Sequence, residues 1–328
     1  MKSVKYKIPT PPIVTKVRNY KPPFIDFSKQ KVISHTQMTI FNSCNYRWGL
    51  HYRDGHKINN PSISLIFGTS LHEVIQEYVN LFYNQSKAAA DRFDMETNFK
   101  DKLRKLYLDE YKKNNNVHFS SVEEMDEHCI DGLEIIRYFK RKVGSYFSKN
   151  GWWLIGCEIP VNYNILPNVY YNGFLDIVLY HEPTNTIEII DIKTSTKAWY
   201  DKQKKDDNKL SQILLYKKII SEQFDFPIDN IEVKFLILKR KIKTDGDYPE
   251  KRIQEFVPAS GKIKIKKSQD ILNLFVNTAF DSNGIVTKNN FKKNITKDSC
   301  MFCPYKDLHD LCDKGNPQLK WREPFSIF

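Results

Sequence analysis

Two aspartates of this sequence are spaced so that a β-hairpin would bring their carboxylates together. The segments 172–180 and 187–193 are rich in β-branched and aromatic residues, and a short polar connector separates them. This pattern is typical of a hairpin. A turn centred between residues 183 and 184 pairs the two strands symmetrically, so that Asp176 lies directly opposite Asp191. We therefore expect two carboxylates with their Cβ atoms about 5 Å apart on one face of the hairpin.

Lys193 follows Asp191 by two positions, so its side chain is expected on the same face of the strand, whereas Ile190 and Ile192 point to the other face. Opposed carboxylates repel each other. A divalent cation is the simplest way to offset that repulsion, and carboxylate oxygens suit Mg²⁺ or Mn²⁺. The alternative is a surface hairpin with a solvated Asp–Lys pair, because charged side chains usually lie in water.

Polar side chains on two predicted helices extend this group. His72 lies at the flank of the apolar stripe of a helix that starts near Gly68, and imidazole is a common metal ligand. Gln212 and Tyr216 are four residues apart and share one face of the helix that follows the acidic strand. Without the hairpin, a boundary histidine and an ordinary polar helix edge would explain these residues equally well.

The elements that must position these side chains change type along the chain. Apolar periodicity predicts a mainly helical first half, followed by strands that flank a single helix. This order favours one α/β domain. The predicted helices span 71–82, 93–113, 122–147 and 207–224, and the predicted strands span 152–161, 169–180, 187–193 and 231–241.

Composition and charge limit the class of protein. The chain has 328 residues, is 41% hydrophobic and carries a formal charge of +12, which favours a polyanionic partner. Its sequence shows neither an apolar run of membrane-spanning length nor a signal-peptide pattern at Met1, so we expect a soluble, cytoplasmic protein without a membrane partner. Five prolines and six early basic residues predict that 1–30 is an extended basic arm.

Two features favour nucleic acid as the polyanion. Eleven basic residues lie between Lys234 and Lys267, which fits a phosphate-binding track, although a solvated strand face would show some of this charge. Trp199 and Tyr200 follow the acidic strand and could stack on unpaired bases, or could equally be packing residues.

Six cysteines are too few for a disulfide scaffold. Cys129 and Cys157 lie within apolar patterns and are expected to pack as small hydrophobic residues. The other four, one upstream and three near the C-terminus, are Cys44, Cys300, Cys303 and Cys312.

Six short motifs follow one another along the chain. They are Ser34-His35-Thr36 with Cys44, Gly68-Thr69-Ser70-Leu71-His72, Gly173-Phe174-Leu175-Asp176, Asp191-Ile192-Lys193, Gln212-Ile213-Leu214-Leu215-Tyr216 and Cys300-Met301-Phe302-Cys303. Their order resembles the RecB-like exonucleases of the PD-(D/E)xK nuclease superfamily, including the AddB-type and CRISPR-associated members. The resemblance implies a restriction-endonuclease-like α/β core with a central mixed sheet flanked by helices, and a helical N-terminal half.

The resemblance also implies roles for the site residues. His72, Asp176, Asp191 and the carbonyl of Ile192 would bind the metal. Lys193 would position or deprotonate the attacking water and balance charge on the scissile phosphate. The remaining two, Gln212 and Tyr216, would orient the DNA strand or the lysine. The reaction would be metal-assisted hydrolysis of a phosphodiester bond.

In members of the family with four such cysteines, one cysteine before the nuclease core and three after it hold a [4Fe-4S] cluster. Here these would be Cys44, Cys300, Cys303 and Cys312. Four thiolates also make a closed zinc site, which is the alternative.

The sequence therefore predicts a Mg²⁺- or Mn²⁺-dependent DNA exonuclease of recombination, repair or replication, with residues 31–328 as a single nuclease domain, a helical insert at about 70–150 and a cysteine cluster at 300–312. Because no Gly-x4-Gly-Lys-Ser/Thr loop occurs, it would act on single strands or accessible ends, or with a helicase or recombination partner. Its size and missing motor are compatible with a phage origin and the host cytoplasm. The alternatives are a non-catalytic DNA-binding subunit of a recombination or adaptation complex and a structure-specific endonuclease.

Overall fold

The computed structural model describes residues 9–58, 60–243, 250–289, 291–308 and 310–312. Within these residues the helices are α1 (Pro12–Arg18), α2 (His35–Ser43), α3 (Asn45–Trp48), α4 (Ile63–Asn84), α5 (Lys87–Arg92), α6 (Met95–Lys113), α7 (Val122–Lys142), α8 (Asp201–Lys204), α9 (Asp207–Phe224), α10 (Lys262–Ala279) and α11 (Lys297–Met301). The strands are β1 (Lys31–Ile33), β2 (Trp152–Leu166), β3 (Val169–His181), β4 (Thr186–Ser195), β5 (Ile231–Lys239) and β6 (Ile253–Phe256). The predicted α/β class, with a mixed sheet flanked by helices, is confirmed.

The chain divides into two compact units. The first consists of Met1–Pro23, Ser62–Val161 and Phe174–Ile265, and the second of Phe24–Pro61, Asn162–Gly173 and Lys266–Phe328. This division cuts across the single nuclease domain predicted for 31–328, which stays a prediction.

The sheet of the first unit is mixed. Strand β3 pairs antiparallel with β4, β4 pairs parallel with β5, and β5 pairs antiparallel with β6. Parallel strands cannot be joined by a tight turn, and the connection between β4 and β5 contains α9, which packs against both of them. The crossover thus places α9 beside the acidic strand.

Helices α4, α6 and α7 cover the opposite face of this sheet. Their apolar stripes and the strands form one core, in which Leu71, Phe99 and Ile135 meet Ile190 and Ile192 of β4. Every one of these five side chains is fully buried. The helical segments predicted from periodicity are confirmed with two differences. Helix α4 is longer than predicted and begins at Ile63, before Gly68. Helix α7 ends at Lys142, and a short 3₁₀ turn, Val143–Ser145, follows it.

The second unit has its own aromatic core. Trp48 packs edge-on against Phe275 and Phe291, with ring centroids 5.5 and 5.6 Å apart. Phe41 contacts all three rings. Strand β1 pairs in parallel with the start of β3. Neither strand β1 nor the short helices α2 and α3, which carry Phe41 and Trp48, had a clear periodic signal in the sequence.

Within residues 9–30, the N-terminal segment differs from the extended arm that its prolines predicted; residues 1–8 of that predicted arm lie outside the described residues. Pro12–Arg18 forms helix α1, with Pro12 in the first turn, where a missing backbone N–H costs nothing. Val14 and Val17 are buried, and Arg18 donates a hydrogen bond of 3.0 Å to the carbonyl of Ile155. The burial of these valines therefore favours a packed helix over an extended chain, despite the basic residues of this segment.

In the described part of the chain, no helix combines the length and the apolar character that crossing a membrane requires.

Helix α7 approaches α6 at Gly132, where a side chain would not fit. A Cβ atom there would lie 2.2 Å from Cζ of Phe99 and 3.1 Å from Phe67, and both rings are buried. We expect Gly132→Ala to lower the free energy of unfolding by about 1–2 kcal/mol, because overpacking outweighs the better helix propensity of alanine. Denaturant unfolding measures this. Gly144→Ala is the control, since a Cβ atom there meets nothing within 4 Å; an equal effect of both substitutions would contradict the packing argument.

Candidate active site

The β3–β4 hairpin has the register expected from its sequence. Its last ladder pair is Ile177 with Ile190, so Asp176 and Asp191 are the next positions along the two strands. There the side chain of Asp176 bonds to the neighbouring strand, because its Oδ2 accepts a hydrogen bond of 2.7 Å from the backbone N–H of Ile192. The side chains of the two aspartates are only 14% and 5% exposed. The predicted register of the hairpin is confirmed as far as Ile177 and Ile190. The direct opposition of the two aspartates one position further stays a prediction, whereas the alternative of a solvated surface hairpin is wrong.

Lys193 lies beside Asp191 on the same face of β4. Its Nζ is 2.8 Å from Oδ2 of Asp191 and donates a hydrogen bond of 2.8 Å to Oε1 of Gln212. The amide of Gln212 in turn donates to the hydroxyl of Tyr216 at 3.3 Å. The isoleucines on either side of Asp191 are fully buried on the opposite face. These contacts form a continuous polar network from β4 to α9, in which Asp191 contacts Lys193, Lys193 contacts Gln212, and Gln212 contacts Tyr216.

His72 reaches this group because α4 passes close to the end of β4. A Cβ atom on Gly68, one turn before His72, would lie 3.1 Å from Oγ1 of Thr194, so that a larger residue would separate the helix from the strand. With glycine there, Nδ1 of His72 lies 3.5 Å from Oδ2 of Asp176. His72 therefore belongs to the carboxylate group.

Burial and the neighbouring charges set the protonation of these residues. Burial raises the pKa of Asp191 to about 6, although the charge of Lys193 acts in the opposite direction. Burial also favours a higher pKa for Asp176, but the hydrogen bond and charge of His72 outweigh it, and the pKa of Asp176 is lowered. For the two cations the effects are reversed: burial acts to lower the pKa of His72 and of Lys193, while the aspartates raise both. In this cluster the positive charges of His72 and Lys193 therefore offset the negative charges of Asp176 and Asp191.

The chemistry of these donors fits a divalent cation. Among the described residues, no group of three or more His, Cys, Asp or Glu side chains is arranged to hold a metal ion. Oδ2 of Asp191 is buried, yet within the described residues it receives no hydrogen bond of good geometry, even from the nearby ammonium. Carboxylate oxygens and an imidazole nitrogen are ligands that Mg²⁺ or Mn²⁺ accept. The carbonyl of Ile192 stays a predicted ligand.

Aromatic side chains near the site differ in exposure. Trp199 is buried, with its ring 5.1 Å from that of Phe235, so its packing role is confirmed. Tyr200 is 59% exposed and Phe174 is 58% exposed. Phe174 lies two residues before Asp176, on the same face of β3. Phe174 belongs to the motif Gly173-Phe174-Leu175-Asp176, but no role was predicted for its side chain.

The basic segment 234–267 is largely ion-paired. Arg240 and Lys241 each lie 3.0 Å from the carboxylate of Asp131, which is buried on α7, and Lys234 lies 3.0 Å from Glu188. The segment's other pairs are Lys239 with Glu250, Arg252 with Glu134, Lys264 with Asp207 and Lys266 with Asp270. Within the described residues, at least seven of the eleven basic residues of this segment are thus ion-paired, mostly with acids that lie outside the segment. Its interpretation as a phosphate-binding track stays a prediction.

The four cysteines singled out from the sequence lie together in the second unit. Cys44, Cys300, Cys303 and Cys312 line one small pocket. Burial raises the pKa of Cys303, and the nearby thiols of Cys312 and Cys44 add to the effect. Their ligand stays a prediction.

Sequence reasoning missed two polar residues beside Asp176. Gln76 lies one turn after His72 on α4, and its amide contacts Glu158 of β2 and the backbone of Asp176. A glutamine within an apolar helical stripe was the available signal, but its partner on a distant strand had none.

Comparison with known proteins identifies the family of this chain. The family model described as the PD-(D/E)XK nuclease superfamily matches residues 32–308. The chain belongs to this superfamily. A solved structure titled "Crystal structure of SSO0001" aligns with 83% of this chain and 94% of its own, at 14% sequence identity and a TM-score of 0.27. No curated protein matches the sequence.

Membership of the PD-(D/E)XK superfamily implies nuclease activity on DNA. Nucleases of this superfamily typically use Mg²⁺ or Mn²⁺, which agrees with the donors of the Asp176–Asp191 cluster.

Binding of Mn²⁺ to this PD-(D/E)XK nuclease should stabilise it. At a concentration about 100 times the Kd, a ligand that binds only the folded state adds about 2.7 kcal/mol to the free energy of unfolding. We expect this stabilisation in the wild type and its loss in Asp176→Ala and Asp191→Ala, as measured by thermal unfolding with and without Mn²⁺. Asp201→Asn, a change at an exposed carboxylate, is the control. Equal stabilisation of all four proteins would place the metal elsewhere.

Proposed function

We propose that this chain is a Mg²⁺- or Mn²⁺-dependent DNA exonuclease that resembles the RecB-like enzymes. The observation that carries the proposal is the buried group of Asp176, Asp191 and Lys193, with His72 against one carboxylate and Gln212 against the ammonium. Keeping two carboxylates and a lysine together away from water is costly unless they serve a charged reactant.

Each residue then has a role in phosphodiester hydrolysis. The metal ligands are His72, Asp176, Asp191 and the carbonyl of Ile192, and a bound divalent cation supplies Lewis-acid stabilisation of the phosphoryl group. The ammonium of Lys193 forms an ion pair with Asp191 and donates a hydrogen bond to Gln212, and we assign a further donor to the attacking water or the scissile phosphate.

Gln212 and Tyr216 hold Lys193 in place. The amide of Gln212 accepts from the ammonium with its oxygen and donates to the tyrosine hydroxyl with its nitrogen. This line of hydrogen bonds restricts the lysine to one orientation, and well-oriented reacting groups lower a barrier substantially. The role in orienting the lysine is thus better supported than a direct contact of either residue with DNA.

Exposed aromatic side chains support unpaired DNA as the substrate. Phe174 presents most of its ring to solvent beside Asp176, and Tyr200 follows the acidic strand. Stacking of a base on an aromatic ring contributes about 1–3 kcal/mol and requires a base that is not already stacked in a duplex. A single strand or a frayed end provides such a base, whereas an intact duplex does not.

The cellular setting follows from the same resemblance. Exonucleases of this kind act in recombination, repair or replication, and we propose one of these settings, with a helicase or recombination protein as partner and a phage as a compatible source. A structure-specific endonuclease has the same catalytic group, and a non-catalytic subunit would bind DNA without cleaving it; both are outcomes of the experiments below.

Asp191→Ala and Lys193→Ala should lower the cleavage rate by at least about 100-fold, because each removes a charge that acts on the transition state. Affinity for DNA should change little, because phosphate contacts supply most of it. Cleavage of end-labelled DNA with Mn²⁺ and a binding titration measure both quantities. Lys105→Ala, on the exposed side of α6, is the control; wild-type cleavage by either site variant would disprove the assignment.

Linear single-stranded DNA should be degraded, whereas covalently closed single-stranded circles should resist. An exonuclease needs a free end, and both substrates present the same unpaired bases. End-labelled linear DNA and circles of the same sequence, incubated with Mn²⁺, make the comparison. Rapid cutting of the circles would favour the endonuclease, and inertness towards both would favour the non-catalytic subunit.

We also propose that Cys44, Cys300, Cys303 and Cys312 hold a [4Fe-4S] cluster. The support is that all four line one pocket although the first is far from the others in sequence. A shared ligand would close a long loop, and long loops gain most from such closure. The cluster would therefore stabilise the fold, since hydrolysis transfers no electron.

Protein purified without oxygen should be brown and contain iron and sulfide. Cys303→Ser should lose iron and stability, while cleavage per folded molecule changes little. Metal analysis and thermal unfolding test this, with Cys129→Ser, outside the pocket, as the matched control. A colourless protein with about one zinc per chain would show that the four cysteines form a zinc site and not a cluster. A protein with neither iron nor zinc would disprove both the cluster and the zinc site.

A further inference from the structure

Gln76 is a buried polar residue on an otherwise apolar face of α4. Its side chain is 7% exposed, and its neighbours on the helix, Ile75 and Val79, belong to the core. Buried amides are found where their hydrogen-bonding groups have specific partners. Gln76 also lies one turn after His72, on the same side of the helix.

The amide nitrogen of Gln76 serves two acceptors. Nε2 donates to Oε1 of Glu158 at 2.6 Å and to the backbone carbonyl of Asp176 at 3.0 Å. The backbone carbonyl of Gln76 faces the same strand, because it accepts from Sγ of Cys157 at 3.7 Å. Burial raises the pKa of Cys157 to about 12, which keeps its thiol proton available as a donor. One glutamine thus joins β2, β3 and α4.

The backbone of β2 is unusual at this contact. Glu158 has a φ of +53°, in the left-handed region that residues other than glycine rarely adopt. Conformations of this kind persist where surrounding contacts hold them, and they concentrate at functional sites. The side chain of Glu158 accepts its hydrogen bond from the amide of Gln76 at this position.

We propose that Gln76 is a positioning residue that fixes the metal ligand Asp176, by clamping its peptide to helix α4 and to strand β2 at Glu158. The same helix carries His72, so the clamp sets the distance between two ligands. The inference rests on the proposed function. A neutral amide suits this place, because a lysine would add a charge that competes with the cation, and a carboxylate would repel Glu158.

Partners that orient metal ligands typically contribute 10–100-fold to metal affinity. Gln76→Met keeps the length and apolar stem of the side chain but removes both hydrogen bonds. We expect it to weaken Mn²⁺ binding at least about 10-fold. Calorimetric titration and Mn²⁺ electron paramagnetic resonance, without DNA, measure the affinity, while circular dichroism verifies the fold.

Tyr78→Phe is the matched control. It removes a hydrogen bond of 2.7 Å from the same helix, to Asp91, which lies away from the site. Both variants lose stability, but only Gln76→Met should lose Mn²⁺ affinity. Equal Mn²⁺ affinities of Gln76→Met and the wild type would overturn the proposal, and so would an equal loss in both variants.

A second pair of variants tests the clamp from the strand side without altering the helix core. Glu158→Ala and Glu158→Gln both remove the charge, but only glutamine keeps an oxygen that accepts from Gln76. We expect Glu158→Gln to bind Mn²⁺ several-fold more tightly than Glu158→Ala; equal affinities would overturn the clamp. A wild type that binds no Mn²⁺ would instead overturn the proposed function.

Discussion

The repulsion between Asp176 and Asp191 is the constraint on which the rest of the site depends. Two carboxylates on adjacent strands, both largely removed from water, would destabilise the fold if nothing opposed their charge. The chain opposes it with three groups from two elements: His72 from α4, and Lys193 and the backbone N–H of Ile192 from β4. The crossover helix α9 then supplies the amide that holds the lysine.

The parts of the site that are local in sequence were predictable. The hairpin register follows from a symmetric connector, and the alternation of Asp191 and Lys193 with isoleucines follows from the pleat. The predicted helix 207–224 has the bounds of α9 because an Asp206 cap and a left-handed Asp225 mark its ends. In each case the signal lies within one element or one turn.

The parts that depend on long-range partners were not predictable. Lys234 and Arg240 belong to a basic segment of the sequence, but each forms an ion pair with an acid that is distant along the chain, Glu188 and Asp131 respectively. Helix α1 looked extended because its prolines are visible in sequence, whereas the surface that buries its valines is not. Charge and proline content are properties of the local sequence, whereas the conformation and the ion pairs of the folded chain depend on its tertiary contacts.

The arrangement of the first unit has an evolutionary consequence. Most of the reactive groups, from Asp176 to Tyr216, lie on one continuous stretch of chain that runs through β3, β4, the short helix α8 and α9. Duplication or recombination that moves this stretch moves those groups together, while His72 and Gln76 have to come from the helix that packs beside it. The helices over the other face must retain a core and, near the reacting groups, His72 and Gln76, so elsewhere they can diverge to fit new partners. Lineages carrying this stretch can therefore share a reaction while differing widely in overall sequence.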